Sequence, residues 1–353
     1  MTKLKILTDS WWEILIYQLA QVSDFFSIER LNKDLLGKKS FDGSEFKNAL
    51  EMRKRELDST YDILHYNNRM DMVLCRIPSR KVTIYESHSI HFGLDLKNTL
   101  YDLETPWKKF TGFFIHFIYK IIFFFRIKKV DVYFTGIPSP LPYAQKFRKD
   151  AIRLPNAIDF PLFERHYDAI SLDKSFINIF LPSAIRVQKY QQKAWEIIDN
   201  MSQKYDNIKI YTIDHKTSNH KLVKTYLDKY ADRIVWLPMV PREDIGNYYT
   251  ADFDLVLWSL WPYDDYAMLN MMELECMACK APIVAMDSFE IIKTPFAQIE
   301  DLAWRVLEDV MFRKEYVQRN YDYVKRVRSL ESVHKLYYDT LKPIVLKKLK
   351  KTI

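Results

Sequence analysis

A chain of 353 residues with 48% hydrophobic and 28% charged residues has the composition of a folded globular protein of about two domains, which excludes a disordered chain or a small disulfide-stapled module. Its 53 basic and 46 acidic residues leave a net charge of +7, which favours anionic partners such as nucleotides or acidic lipids without selecting among them. Cys75, Cys276 and Cys279 are too few for a disulfide framework, and the CxxC of the last two has no second half, so no metal is expected.

The amino terminus runs directly into a strand pattern, KLKILTD, so no secretory leader is expected. Leu4–Leu7 predicts a buried strand and Trp12–Gln21 a helix. Tyr61–His65 (YDILH), Lys81–Tyr85 (KVTIY) and Val130–Phe134 (VDVYF) predict further strands. Apolar strands separated by helical patterns argue for a parallel sheet covered on both faces. RLPNAIDFPLF, Arg153–Phe163, is too rich in proline for an element interior and reads as a connection between domains. The pattern then restarts, with strands at Ile177–Leu181, Ile208–Thr212, Ile234–Leu237 and Leu255–Leu257. Helices are predicted at Tyr190–Lys204, Lys221–Tyr230, Arg242–Thr250, Leu269–Cys279, Asp301–Tyr323 and Leu330–Lys351. The expected organisation is an amino-terminal domain over residues 1–164, a second over 165–329, and a basic helix over 330–353 returning toward the first.

The stretch Trp107–Lys129 places Phe110, Phe113, Phe114, Phe117, Ile118, Ile121, Ile122 and Phe125 on one helical face, with basic residues flanking or opposing it. Two readings stay open: an interfacial helix on anionic lipid, or a helix buried against the first sheet. Phe113–Phe125 is interrupted by His116 and Lys120 and is too short to span a bilayer. The expected location is therefore the cytoplasm, with a peripheral seat on the inner face of the membrane as an option. No helix-turn-helix, RNP or zinc pattern accompanies the basic residues, so nucleic acid is not an expected partner.

Several segments carry recognisable text. LECMACKAPIVA (Leu274–Ala285) reads as helix end, turn and buried strand, and resembles the LEAMACGTPVVA of retaining glycosyltransferases of family four. In the same order along the chain, LPNAID resembles that family's IPNGID. FLPSAIRVQKY resembles its phosphate-binding segment, and RIVWLPMVPREDIGNYYTADFDLVL its strand, turn, helix and strand. KVTIYESHSI resembles the first-domain strand that delivers a histidine. The resemblance covers most of the second half and parts of the first. It implies an α/β fold of two Rossmann-like domains facing a cleft, the GT-B architecture, with the C-terminal helix packing back on the first domain.

By that resemblance Arg186 and Lys189 hold the donor diphosphate, where transfer of the sugar makes negative charge grow. Arg supplies a bidentate fork and Lys a point charge, so no metal is required. Glu275 is the implied ligand of the donor ribose, and the turn containing Ala267 and Met268 leads into its helix. A carboxylate among Met271, Met272, Leu274 and Met277 needs a partner or an open cleft, whereas Glu273 is expected on a solvated face. His88 is implied at the donor sugar or the acceptor, with His91 on the acceptor side. His88, Arg186 and Lys189 form the expected catalytic set.

The chain also departs from the family text. A second glutamate commonly stands eight positions before Glu275, where this sequence has Ala267; Asp264 or Asp265 is the candidate replacement. Only six glycines are present, and TDSWWE (Thr8–Glu13) stands where a glycine-rich loop is usual. The resemblance implies transfer of a sugar from a nucleotide-sugar donor to a glycan or lipid-linked acceptor with retention of configuration. The alternatives are a degenerate homologue that binds nucleotide, lipid or a partner without transfer, and a nucleotide-sugar epimerase of the same architecture.

Overall fold

The computed structural model describes residues 3–8, 23–31, 44–67, 74–87, 113–114, 117–118, 121–136, 140–164, 170–185, 191–215, 218–241, 244–258, 271–284 and 298–350. The chain divides into two compact units, Met1–Ala157 with Leu330–Ile353, and Ile158–Ser329. The first contains strands β1 Leu4–Thr8, β2 Phe26–Arg30, β3 Ile63–Tyr66, β4 Val82–Ser87, β5 Val132–Thr135 and β6 Ile152–Arg153, with helices α1 Ser44–Arg55 and α2 Pro140–Phe147. The second begins with the single turn α3 Phe160–Phe163 and continues through β7 Ile177–Leu181, α4 Gln192–Ser202, β8 Ile208–Ile213, α5 Lys224–Lys229, β9 Ile234–Leu237, α6 Gly246–Tyr249 and β10 Leu255–Leu257. It closes with α7 Met271–Ala278, β11 Ile283–Val284, α8 Ile299–Glu308 and α9 Val310–Arg328; α10, Leu330–Leu349, belongs to the first unit.

In the first unit all six strands are parallel, in the order β2-β1-β3-β4-β5-β6. Alternation along each strand divides its side chains between two cores, which is why the strands read as nearly continuous apolar runs. Ile6, Ile63, Ile84 and Phe134 face Val333, Tyr337, Leu341 and Val345 of α10, which recur every fourth residue and so form one buried stripe. Leu7, Leu64, Tyr85 and Tyr133 pack on the other side with Met52 of α1, Ala144 of α2, and Phe123 and Ile127. The C-terminal helix thus packs on the first domain, as the sequence implied.

The second unit holds a five-stranded parallel sheet in the order β11-β10-β7-β8-β9. Ile179, Ile210 and Leu255 pack beneath Trp195 and Ile198 of α4 and Ala303 and Val306 of α8. On the opposite face Phe180 stacks on Phe253, with ring centroids 4.7 Å apart.

One device recurs in both sheets. Asp62, Asp131 and Asp254 each stand one residue before a strand and accept a backbone N–H of the neighbouring strand, from Lys5 at 3.1 Å, Thr83 at 2.7 Å and Asn178 at 2.9 Å. Each also donates its own N–H to the carbonyl of that same residue, so the amino edges of adjacent strands are locked in register. The aspartates of YDILH, VDVYF and FDLVL are therefore registration points.

Two predicted segments fold differently. Asp301–Tyr323 is two helices, α8 and α9, divided at Asp309. That residue is extended and its side chain accepts the Phe312 N–H at 2.9 Å, an N-cap that starts the second helix. Within the predicted connection Arg153–Phe163, Ile152–Arg153 supplies the outer strand of the first sheet and Phe160–Phe163 makes one helical turn with Pro161 at its start. The predicted helix Trp12–Gln21 lies outside the described residues.

Candidate active site

In the second sheet the chain runs outward from β7 to β8 and β9, then returns to place β10 on the other flank of β7. Connections leave β7 and β10 in opposite directions, and parallel α/β sheets bind ligands beyond the carboxyl ends of strands at such a reversal. The segment after β7 is held firmly at both ends. Gln191 is buried and its Nε2 donates to the carbonyl and the hydroxyl of Ser183. The Ile185 N–H donates to Ser218 Oγ at 3.1 Å, and its carbonyl accepts the Asn219 N–H at 2.7 Å. Arg186 and Lys189 fall between these anchors, on residues 186–190, outside the described residues. Asp264, Asp265, Ala267 and Met268 lie likewise between Trp258 and Met271, and His88 and His91 follow Ser87 at the end of β4.

Glu275 is the one candidate among the described residues. It sits on α7 and is buried, with 5% of its surface exposed, while Glu273 is 1% exposed. The expectation that Glu273 faces solvent is corrected here. Helix α7 packs against α3, α6, α9 and β11, so it has no solvated side on which to place a second carboxylate. Tyr316 of α9 donates to the Ile283 carbonyl of β11 at 2.9 Å; burial, reinforced by the Glu273 charge, pushes its phenol up to about 12. Cys276 is fully buried and Cys279 Sγ points to the Phe163 carbonyl at 3.5 Å. Desolvation raises both thiols, so neither is a ready nucleophile or metal ligand. Among the described residues no three His, Cys, Asp or Glu side chains are grouped to hold a metal ion.

After α7 the chain turns through Lys280 at φ 57°, with the Lys280 N–H on the Met277 carbonyl at 3.1 Å and the Ala281 N–H on that of Cys276 at 2.9 Å. This is a Schellman cap, whose left-handed residue is usually glycine, and the family text LEAMACGTP carries glycine there. Lys280 keeps one compensation, its ammonium lying 4.5 Å from the centre of the Tyr321 ring. Lys280→Gly is expected to stabilise the protein by about 0.5–1 kcal/mol in a denaturant titration, the relief of αL strain outweighing that contact. A loss of stability would mean that the cation–ring contact dominates.

The first unit contains a polar cluster that the sequence reading missed. His65 on β3, Glu86 on β4 and Tyr337 on α10 are all fully or almost fully buried. His65 Nε2 lies 3.0 Å from Glu86 Oε2 and Nδ1 lies 3.2 Å from the Tyr337 hydroxyl, while Asn67 Nδ2 donates to Glu86 Oε2 at 3.5 Å. Burial, then the Glu86 charge, drives the Tyr337 phenol far above its ordinary range, so the hydroxyl keeps its proton. The Tyr337 hydroxyl donates to Nδ1, which leaves the ring proton on Nε2, the nitrogen facing the Glu86 carboxylate. Glu86 stands immediately before Ser87 and two residues before His88, so the cluster fixes the strand end from which His88 departs.

No protein-family model matches the sequence, and neither does any curated protein. Solved structures do match. HepE from Anabaena, in a complex with UDP and glucose, is 15% identical with a TM-score of 0.64, over 96% of this chain and 100% of that one. A glycosyltransferase from Rickettsia africae is 12% identical with a TM-score of 0.64, over 100% of both chains. WaaG, a glycosyltransferase involved in lipopolysaccharide biosynthesis, is 10% identical with a TM-score of 0.63, over 95% of this chain and 99% of that one. At these identities the likeness is one of fold. The two parallel α/β domains, their strand orders and the C-terminal helix on the first domain make this chain a protein of the GT-B glycosyltransferase fold.

Proposed function

We propose that the protein is a retaining glycosyltransferase that moves a sugar from a nucleotide-sugar donor to a glycan or lipid-linked acceptor without a metal ion. The observation that carries this reading is the reversal of strand order between β7 and β10. It supports a ligand site beyond the carboxyl ends of β7 and β10, the strands followed in sequence by Arg186 and Lys189 and by the residues leading to the Glu275 helix. Arg186 and Lys189 would neutralise the diphosphate, Glu275 would accept from the ribose hydroxyls, and Ala267 and Met268 would lie along the nucleotide. Asp264 or Asp265 would contact the sugar, with His88 at the sugar or acceptor and His91 toward the acceptor. In the transfer, the bond from the anomeric carbon to the β-phosphate oxygen breaks and its electron pair leaves with the diphosphate. The acceptor hydroxyl attacks from the same face and passes its proton to that leaving phosphate, which retains configuration. A peripheral seat on the inner face of the cytoplasmic membrane would suit a lipid-linked acceptor.

The test is titration calorimetry with UDP, GDP and ADP and their sugar conjugates, with sugar release followed in parallel. UDP comes first because HepE was solved with UDP and with UDP-glucose. One nucleotide is expected to bind, its conjugate losing sugar slowly without acceptor. Glu275→Ala is expected to weaken that nucleotide by about ten- to a hundredfold, the value of charge-assisted hydrogen bonds to hydroxyls. Unchanged affinity would remove the ribose assignment. Binding without release, even with acceptors added, would favour a degenerate binding protein, for which Ala267 and the sparse glycines speak.

A further inference from the structure

The segment between residues 113 and 126 is helical wherever it is described, and it is apolar on more than one side. Phe123, and Ile127 just beyond it, turn inward against Tyr85 and Tyr133. The other described phenylalanines are exposed. Phe113 is 44% exposed, Phe117 and Ile118 56%, and Phe125 64%. Among the described residues of this stretch, Phe123 and Ile127 are the ones buried against the sheet. Large apolar side chains concentrated on one exposed helix mark an interaction surface rather than ordinary surface scatter.

Charge identifies the occupant. From Trp107 to Val130 the sequence has six basic residues and no acidic one, so a second copy of the same face would be repelled. The basic character is extended by a distant part of the chain. Lys348 of α10 pairs with Asp131 at 2.6 Å, bringing the lysine-rich end of that helix beside the turn of Lys128 and Lys129. Lys128, Lys129, Lys347 and Lys350 are all exposed there, and the Lys128 ammonium lies 4.2 Å from the centre of the Phe124 ring. A lysine ammonium beside an exposed phenylalanine pairs a charge for headgroups with a ring for the acyl boundary. No described helix is long and apolar enough to cross a membrane. We propose that this face docks on an anionic lipid bilayer, with the phenylalanines entering the acyl boundary and the lysines meeting the headgroups. This inference stands independently of the transfer reaction.

Flotation with vesicles of phosphatidylcholine alone, or mixed with phosphatidylglycerol, tests it on the intact protein without any donor. Wild type is expected to float with the anionic vesicles, less so at high salt, and weakly with phosphatidylcholine. Replacing Phe117 and Phe125 by serine should lower partition at least about tenfold, since two rings leave the acyl boundary. Lys128→Glu with Lys129→Glu should abolish the preference for anionic lipid. Because all four side chains are exposed, unfolding curves should match wild type and rule out misfolding as the cause. Absence of flotation, equal flotation of the serine variant, or a dimer in lipid-free solution that this variant dissolves would overturn the proposal. Such a result would leave the nucleotide reading intact, because calorimetry measures that separately.

Discussion

Glu86→Ala is expected to destabilise the protein by about 2 to 3 kcal/mol, the upper part of the range for leaving a buried polar group without its partner. Glu86 and His65 have no exposed surface, and the imidazole is held between a carboxylate at 3.0 Å and the Tyr337 hydroxyl at 3.2 Å. Alanine leaves the buried imidazole facing a cavity in place of the carboxylate. Three changes separate this effect from loss of volume. Glu86→Gln keeps an acceptor for Nε2–H and should cost roughly 1–2 kcal/mol; Tyr337→Phe removes one hydrogen bond and should cost about 1 kcal/mol. In Glu86→Ala/His65→Ala the losses should be less than additive, since the second change removes the group stranded by the first. Urea unfolding followed by far-UV circular dichroism measures these four and the single His65→Ala that completes the cycle. If Glu86→Ala costs no more than Glu86→Gln, the pair is not the source of stability and the cluster is ordinary packing.

How much of this was legible in the sequence depends on the range over which each signal acts. Strands such as Ile177–Leu181 and Leu255–Leu257 were read at their observed bounds, because a strand buried on both faces is apolar throughout. The strand β2, FSIER, was missed. It lies at the sheet edge, where charged residues are tolerated and the apolar run is lost. Glu273 was misplaced because helical periodicity locates a residue on a face but does not say that every face of α7 is covered. The partnership of His65 with Tyr337 spans 272 residues and has no local signature, so His65 read as one more strand position. Glu275 was suggested by neighbouring text and its burial is now described, whereas Arg186, Lys189, His88 and the segment before α7 lie outside the described residues. The aromatic stretch at 107–129 presented two readings because buried and interfacial helices share a composition; exposure of Phe117 and Phe125 is a property of the fold.

Arg186→Ala and Lys189→Ala are each expected to lower kcat/KM for transfer by about a hundred- to a thousandfold, the usual effect of removing one preorganised donor to developing charge. In a metal-independent transfer, fixed cations must balance the charge that appears on the diphosphate as the sugar departs, and these two side chains are the candidates on the β7 segment. The Ser183–Gln191 contacts hold the two ends between which Arg186 and Lys189 stand in the sequence. Arg186→Lys should recover only part of the loss, because an ammonium does not reproduce the bidentate fork. The double variant should fall well short of the product of the single effects, since both groups serve one leaving group. Lys193 is the internal control. It lies four positions beyond Lys189 but pairs with Glu300 at 3.1 Å, so Lys193→Ala should reduce stability slightly and leave transfer unchanged. Should Arg186→Ala and Lys189→Ala keep wild-type kcat/KM once a donor is known, the phosphate clamp lies elsewhere, and the strand reversal loses its functional meaning. If all three lysine and arginine variants fall together, the effect is one of fold rather than of charge at the leaving group.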